Sequence, residues 1–403
     1  MVEQGKAQGK VQTALVIGGG IAGPAAAMAL QKAGIQATVY EAYSGTADGK
    51  GGGLSIAPNG MDALDVIGAG DVVRPLGMPM TGIVLQDWKG ADLGEFGNPP
   101  GVPPMQFMFR YEIYRALLDE TARRGIRVEY GKRFVGADEG PDGVTARFAD
   151  GSTATADVLI GADGIHSTVR GLVDPAAPDP RYAGLISFGA LVKHPELPST
   201  GGKMKMSFGK RAFFGYQVFD DDTAVWFVNL PCPEPMTLAQ VQQTSAQAWL
   251  GTLPERFAGD RTPAARLIGR TGFDDLIVVG PMENMPGVPT WSRGRMVLVG
   301  DSVHAPSSSS GQGASLAIES AIELARCLRE LPYDGAFAAY EALRRPRVEK
   351  VIAATNRKNS AKAAGPVLRV VNAWAIRIFA KLVKPEKMAW MFHHTIDWDA
   401  AVR

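Results

Sequence analysis

The segment Ala14-Leu15-Val16-Ile17-Gly18-Gly19-Gly20-Ile21-Ala22-Gly23-Pro24 decides the fold. Leu15 to Ile17 form a short apolar run, as a strand buried on both faces requires. Gly18, Gly20 and Gly23 fit the pattern G-x-G-x-x-G. The first glycine allows a tight turn, the second lets a pyrophosphate approach the backbone, and the third lets helix pack on strand. Pro24 to Ala33 read as that helix, with proline tolerated in its first turn and Gly34 placed to end it. The start of the helix, around Ile21 and Ala22, offers free N–H groups and a positive dipole end to a phosphate. A second strand, Ala37 to Tyr40, runs into Glu41, 18 residues after Gly23. A carboxylate there accepts ribose hydroxyls and disfavours a 2′-phosphate, so the expected nucleotide is FAD or NAD rather than NADP.

Composition bounds the rest. A chain of 403 residues has room for two or three domains. A net charge of +1 gives no hint of nucleic acid or of an acidic partner. Two cysteines, Cys232 and Cys327, are too few for a disulfide framework or a zinc site, and a cytoplasmic location is expected. No signal peptide is visible, and the first ten residues read as a mobile tail. The longest apolar stretch, Val367 to Val383, is broken by Arg369, Arg377 and Lys381. It reads as a C-terminal helix packed on the main body, with a membrane-surface helix as the alternative.

Along the chain, a helix is expected within Leu54 to Ile67 and another from Phe107 to Arg124. Ile126 to Tyr130 and Val144 to Phe148 alternate like half-exposed strands, the second after a turn at Pro141-Asp142-Gly143. Val158 to Ile160 and Met296 to Val299 read as buried strands, and Gly313 to Arg329 as a long helix. Lys203 to Phe208, Ala212 to Phe219 and Thr223 to Leu230 read as a three-strand antiparallel meander in a second domain.

Three further segments carry chemistry. One is Arg110-Tyr111-Glu112-Ile113-Tyr114-Arg115-Ala116-Leu117. Another is Asp157-Val158-Leu159-Ile160-Gly161-Ala162-Asp163-Gly164-Ile165-His166-Ser167-Thr168-Val169-Arg170. The last runs from Gly300-Asp301 to Gly311-Gln312-Gly313. With the glycine fingerprint, these four occur in the order and spacing of the class A flavoprotein monooxygenases, the group typified by para-hydroxybenzoate hydroxylase. The chain resembles that family over residues 12 to 365, and its size and style are those of single-component enzymes that hydroxylate tetracyclines and other natural products.

The resemblance implies an α/β fold with a Rossmann-like FAD-binding domain, a β-sheet substrate domain and a C-terminal helix. The expected FAD-binding parts are 11–75, 107–180 and 285–365. The substrate domain takes 76–106 and 181–284, and 366–403 form a C-terminal helical segment. FAD would be held by Gly18, Gly20, Ile21, Ala22, Gly23, Glu41, Gly52, Gly53, Arg110, Val135, Asp163, Asp301, Gly311, Gln312, Gly313 and Ala314. Within that set, Asp301 would accept from the ribityl hydroxyls with charge assistance. The helix after Gly313 would aim its positive end at the flavin ring. Gly51 to Gly53 resemble the family's loop beside the flavin, followed by Asn59 in its helix. Asp163 and Arg170 either serve that site or pair to hold a loop.

The implied reaction uses NAD(P)H as a transient co-substrate and O₂, and hydroxylates an aromatic or polyketide-like small molecule through a flavin C4a-hydroperoxide. Baeyer–Villiger insertion, epoxidation, and a flavin dehydrogenase without oxygenation are the alternatives. A halogenase would carry Trp-x-Trp-x-Ile-Pro, and none is present. Strand alternation offers Phe213, Gln217, Phe227 and Asn229 as substrate-lining residues. Ser308 stands where the family usually has proline, and Ser315 where it usually has asparagine, which adds two hydroxyls near the flavin. No metal, nucleic acid or membrane partner is expected, and the state is monomer or homodimer. Asp301, Ser302 and His304 lie too close on one turn to make a hydrolase triad. The adjacent His393 and His394 lack the accompanying ligands of a metal site.

Overall fold

A computed structural model describes residues 10–45, 51–306, 311–356 and 385–402. Its first layer is a six-stranded sheet. The order is Ser292–Arg293, Met296–Leu298, Val158–Gly161, Thr13–Ile17, Gln36–Tyr40 and Arg127–Glu129. All pairs are parallel except the Ser292–Arg293 edge. Thr13–Ile17 lies near the middle with its neighbours on both sides, which is why Leu15, Val16 and Ile17 carry no polar face. The fingerprint helix Ala22–Lys32 and the long helix Gly313–Glu330 pack together. Gly300 sits between them: a Cβ there would lie 2.9 Å from Ala22 and 3.1 Å from Ala317, and its φ is +64°. Only glycine lets the chain turn at that crossing.

The second layer is a seven-stranded sheet, ordered Ile277–Asn284, Arg181–Lys193, Thr223–Pro231, Phe213–Val218, Lys203–Phe208, Gly82–Asp87 and Asp92–Gly97. The expected meander forms its centre. One feature departs from a purely antiparallel sheet: Lys203–Phe208 pairs parallel with Gly82–Asp87. Phe188, Phe214, Trp226 and Val228 face one side and bury against short helices from Leu238 to Gly269. The opposite side faces a small sheet of Gly53–Ile56, Met105–Phe109 and Met78–Met80. A further antiparallel sheet holds Phe134–Gly140, Gly143–Phe148 and Thr153–Ala156, with the expected turn between its first two strands.

The helix expected within Leu54 to Ile67 spans Pro58–Val66, after the strand Gly53–Ile56 that pairs with Met105–Phe109. Two expectations are corrected. The helix read from Phe107 starts at Arg110, because Met105–Phe109 belongs to that strand pair. The described part of the C-terminal segment is not helical throughout: after one turn at Ala389–Phe392 it runs to Val402 without regular secondary structure and bends at Trp398 to Ala400. Arg326 and Arg329 donate to the carbonyls of Ala400 and Trp398, and Val402 N–H donates to Glu330, so this strap lies along the long helix. The expected helix over Val367 to Val383, and Ser308, lie outside the described residues. Among the described residues no helix is long and apolar enough to cross a membrane.

Candidate active site

The fingerprint turn is tight because Gly18 takes φ +110°, where a Cβ would lie 2.4 Å from the Ala162 carbonyl oxygen. Its N–H donates to the Tyr40 carbonyl at 2.9 Å. The helix behind it, Ala22–Lys32, has Ile21 at its N-cap and no side-chain cap. Its first N–H groups therefore face the cleft as an anion site. Gly20 leaves the room: a Cβ there would meet nothing closer than the Tyr114 ring at 3.8 Å.

Glu41 ends its strand at the mouth of this turn. Its Oε2 accepts from Gly19 N–H at 2.6 Å and its Oε1 from Tyr43 N–H at 2.9 Å. Its backbone is tied to Glu129 and Lys132, and Val135, three residues further on, is 51% exposed. The carboxylate is thus fixed by backbone donors with lone pairs remaining for a ribose. Glu41→Ala removes a charge-assisted acceptor of about 1.5–3 kcal/mol, so FAD affinity is expected to fall roughly 10- to 150-fold. Unchanged affinity in a flavin titration would mean that Glu41 does not hold the ribose.

Arg110 and Asp301 act on each other electrostatically in the same cleft. Burial raises the Asp301 carboxyl above its ordinary range, and the Arg110 charge opposes that rise. Arg110 starts its helix directly after the strand Met105–Phe109, and its N–H donates to the Gly52 carbonyl at 3.1 Å. Its side chain packs against Gly51, where a Cβ would lie 2.9 Å from Arg110 Cδ. Gly52 in turn abuts Val279 of the seven-stranded sheet. The glycine loop thus touches both layers; Gly49 and Lys50 lie outside the described residues. Tyr114, one turn after Arg110, joins this cleft, and burial raises its phenol. It stood inside the quoted Arg110 segment, but its place follows only from the helix register.

Asp163 has a local task. Its carboxylate accepts from Ser167 Oγ at 2.5 Å and from the N–H groups of Thr168 and Val169, closing the turn before the helix Thr168–Val173. Arg170 donates instead to the carbonyls of Ser302 and Ile165. The two are held by different partners, and Arg170 joins this segment to the Gly300-Asp301 turn. Ser302 Oγ adds a bond to the Gly161 carbonyl at 2.7 Å.

Gly311, Gln312, Gly313 and Ala314 open the long helix, which also has no side-chain cap. Gln312 is buried, and its Oε1 accepts from Asn59 Nδ2 at 3.1 Å. The Ser315 hydroxyl accepts from Ala57 N–H at 3.0 Å and lies against Gly60.

Behind Asn59 stands a buried ionic group that sequence patterns did not reveal. Glu319 Oε1 accepts from Asn59 Nδ2 at 2.6 Å, and Arg347 grips both carboxylate oxygens at 2.8 Å. Arg344 pairs with Oε2 at 2.6 Å. Burial alone would raise Glu319, but Arg344 and Arg347 hold it down at about 2. Nearby His304, bonded to Ser320 Oγ at 2.9 Å, is pushed down to about 3 by burial and the Arg344 charge, so it is neutral at pH 7. His394 faces Glu319, and His393 is exposed. Among the described residues no group of three or more metal-ligating side chains forms.

An uncapped helix start with open space before it, a carboxylate at the end of the second strand and the opposite charges of Arg110 and Asp301 in one cleft fit a flavin dinucleotide. Fold and cleft together define a flavoprotein of the class A monooxygenase type. The chain belongs to the family described as FAD binding domain, which matches residues 10–206 and 286–355. It is 31% identical over 373 residues to an FAD-dependent urate hydroxylase of Klebsiella pneumoniae, covering 90% of this chain and 93% of that one. It is 34% identical to a 3-amino-4-hydroxybenzoate 2-monooxygenase of Streptomyces platensis, covering 83% and 85%. The structure of Klebsiella pneumoniae HpxO complexed with FAD and uric acid superposes with a TM-score of 0.81 at 28% identity, covering 96% of this chain and 97% of that one.

Proposed function

We propose that this chain hydroxylates a small aromatic or polycyclic substrate with one atom of O₂, using FAD and NAD(P)H. The observation that carries the reading is the meeting of the dinucleotide cleft with an apolar wall of the second sheet, within one family-sized unit. FAD, when bound, supplies the redox and oxygen-activating chemistry. The protein would bind and shield it. The N–H groups at Gly20 to Ala22 would face the pyrophosphate, Glu41 would accept from the ribose, and Asp301 would accept from the ribityl chain beside Arg110. The start of the long helix at Gly311 to Ala314 would present its positive end to the flavin ring. Gly51 to Gly53, touching both layers, would help close the site against water. The two cysteines are both free, which supports a cytoplasmic enzyme.

The purified protein is expected to be yellow and to bind FAD. With a true substrate, NAD(P)H oxidation should accelerate and one atom from ¹⁸O₂ should enter the product. Label arriving from water and never from O₂ would replace this reading with a dehydrogenase or hydration reaction. Ring insertion in place of hydroxylation would appear as the same mass gain with a lactone or ester product.

A further inference from the structure

The central strands of the seven-stranded sheet present an uncharged, largely apolar face to the cleft. Strand alternation and the cross-strand register put Ser187, Gly189 and Leu191 on it, with Val225, Phe227 and Asn229, and with Phe213, Gly215 and Gln217. None of these nine side chains is charged. The facing small sheet, Gly53–Ile56, Met78–Met80 and Met105–Phe109, contains no charged residue either. Met204 and Val225 from one wall meet Met80, Met105 and Phe107 from the other in one cluster, and Phe227 packs on it while remaining partly open.

One polar group in this cluster is unsatisfied. Gln217 is 0% exposed and directly opposite Val225. Its Nε2 donates to the Pro79 carbonyl at 3.0 Å, which ties the two walls together. That bond settles which end of the amide is which, and it leaves Oε1 without a hydrogen-bond partner among the described residues. A buried acceptor without a donor is costly and calls for a donor.

We infer that the substrate is an uncharged, mainly apolar aromatic ring whose hydroxyl or N–H donates to Gln217 Oε1, and that ring carboxylates are excluded. This rests on the monooxygenase reading. A carboxylate placed between these walls would be buried with no cation among the described wall residues, a cost far above that of any lost apolar contact. Oxygenation needs an electron-rich ring, and the substituents that enrich it, hydroxyl and amine, are hydrogen-bond donors. Methionine side chains on both walls adapt to flat rings of different outline.

The test uses the FAD-loaded enzyme at pH 7.5 and follows the flavin absorbance during titration. 2-Naphthol is expected to bind at least about 100-fold more tightly than 6-hydroxy-2-naphthoate. Gln217→Leu should weaken 2-naphthol about 10-fold, while 2-methoxynaphthalene, which has no donor, changes less than about twofold. A uniform loss for both ligands would assign Gln217 to wall bridging alone and overturn its role as acceptor. Equal or tighter binding of the carboxylate, or no response to 2-naphthol by yellow enzyme, overturns the substrate class while leaving the flavoenzyme reading in place. Protein that takes up no FAD would overturn that reading itself, and this inference with it.

Discussion

Glu319→Leu is expected to lower the stability of the FAD-loaded protein by about 3–5 kcal/mol. The residue is 0% exposed, and its partner Arg344 is 1% exposed. Removing the carboxylate leaves the Arg344 guanidinium buried beside an apolar side chain. The loss of one partner of a buried pair is costly for this reason, whereas the intact pair contributes little net stability. Arg347 suffers less, because it also donates to the Met391 carbonyl. Asn59 loses its 2.6 Å acceptor and keeps its bond to Gln312 Oε1 at 3.1 Å. The folded carboxyl sits at about 2, below the ordinary value of 4.5. Its contribution is therefore complete above the ordinary value and fades only as pH falls toward about 2, so neutral pH shows the full effect. Urea unfolding at fixed FAD concentration measures it. Asp71→Ala, which breaks an exposed pair with Arg74, is the control and should change little. A loss at Glu319 no greater than at Asp71 would show that the four groups do not act as one buried unit.

This group marks the boundary of what the sequence makes legible. The fingerprint could be read because its strand, turn and helix are consecutive, and each glycine answers a local demand for space. Glu41 was placed by counting along the same unit. Asn59 and Glu319 are 260 positions apart, and no period or spacing joins them. Glu319 lies in a helix with a clear apolar face, where a glutamate reads as solvated until Arg344 and Arg347 arrive from the next helix.

The misplaced start of the helix read from Phe107 has the same origin. Gly53-Leu54-Ser55-Ile56 and Phe107-Met108-Phe109 are short apolar runs that periodicity cannot assign. They become strands because they pair with each other across more than one domain part. Alternation places Phe213, Gln217, Phe227 and Asn229 on the sheet face opposite Phe214, Tyr216, Trp226 and Val228, which bury against the short helices. Which side faced the cleft required the small sheet.

Gly20→Ala and Gly23→Ala should fail in opposite ways, although both are single methyl additions three residues apart. At Gly23 the new Cβ would lie 1.9 Å from the Gly18 carbonyl oxygen. Alanine in a helix interior is worth about 1 kcal/mol over glycine, but no side-chain rotation relieves a collision with backbone. Either the helix Ala22–Lys32 moves off its strand or the turn at Gly18 opens. The apoprotein should therefore lose stability, and FAD binding should fall because the site is misbuilt. At Gly20 the Cβ enters open space, with the Tyr114 ring 3.8 Å away. Apoprotein stability should stay within about 1 kcal/mol of the original. The space it fills is the one a pyrophosphate needs to reach the first N–H groups of the helix. Losing two such charge-assisted contacts should cost FAD at least about 100-fold in affinity. Thermal unfolding of the apoproteins and flavin titration of both variants separate the cases. A Gly20→Ala protein that binds FAD normally would mean that the pyrophosphate does not approach the backbone there, and the reading of the glycine turn as a phosphate cradle would have to be given up.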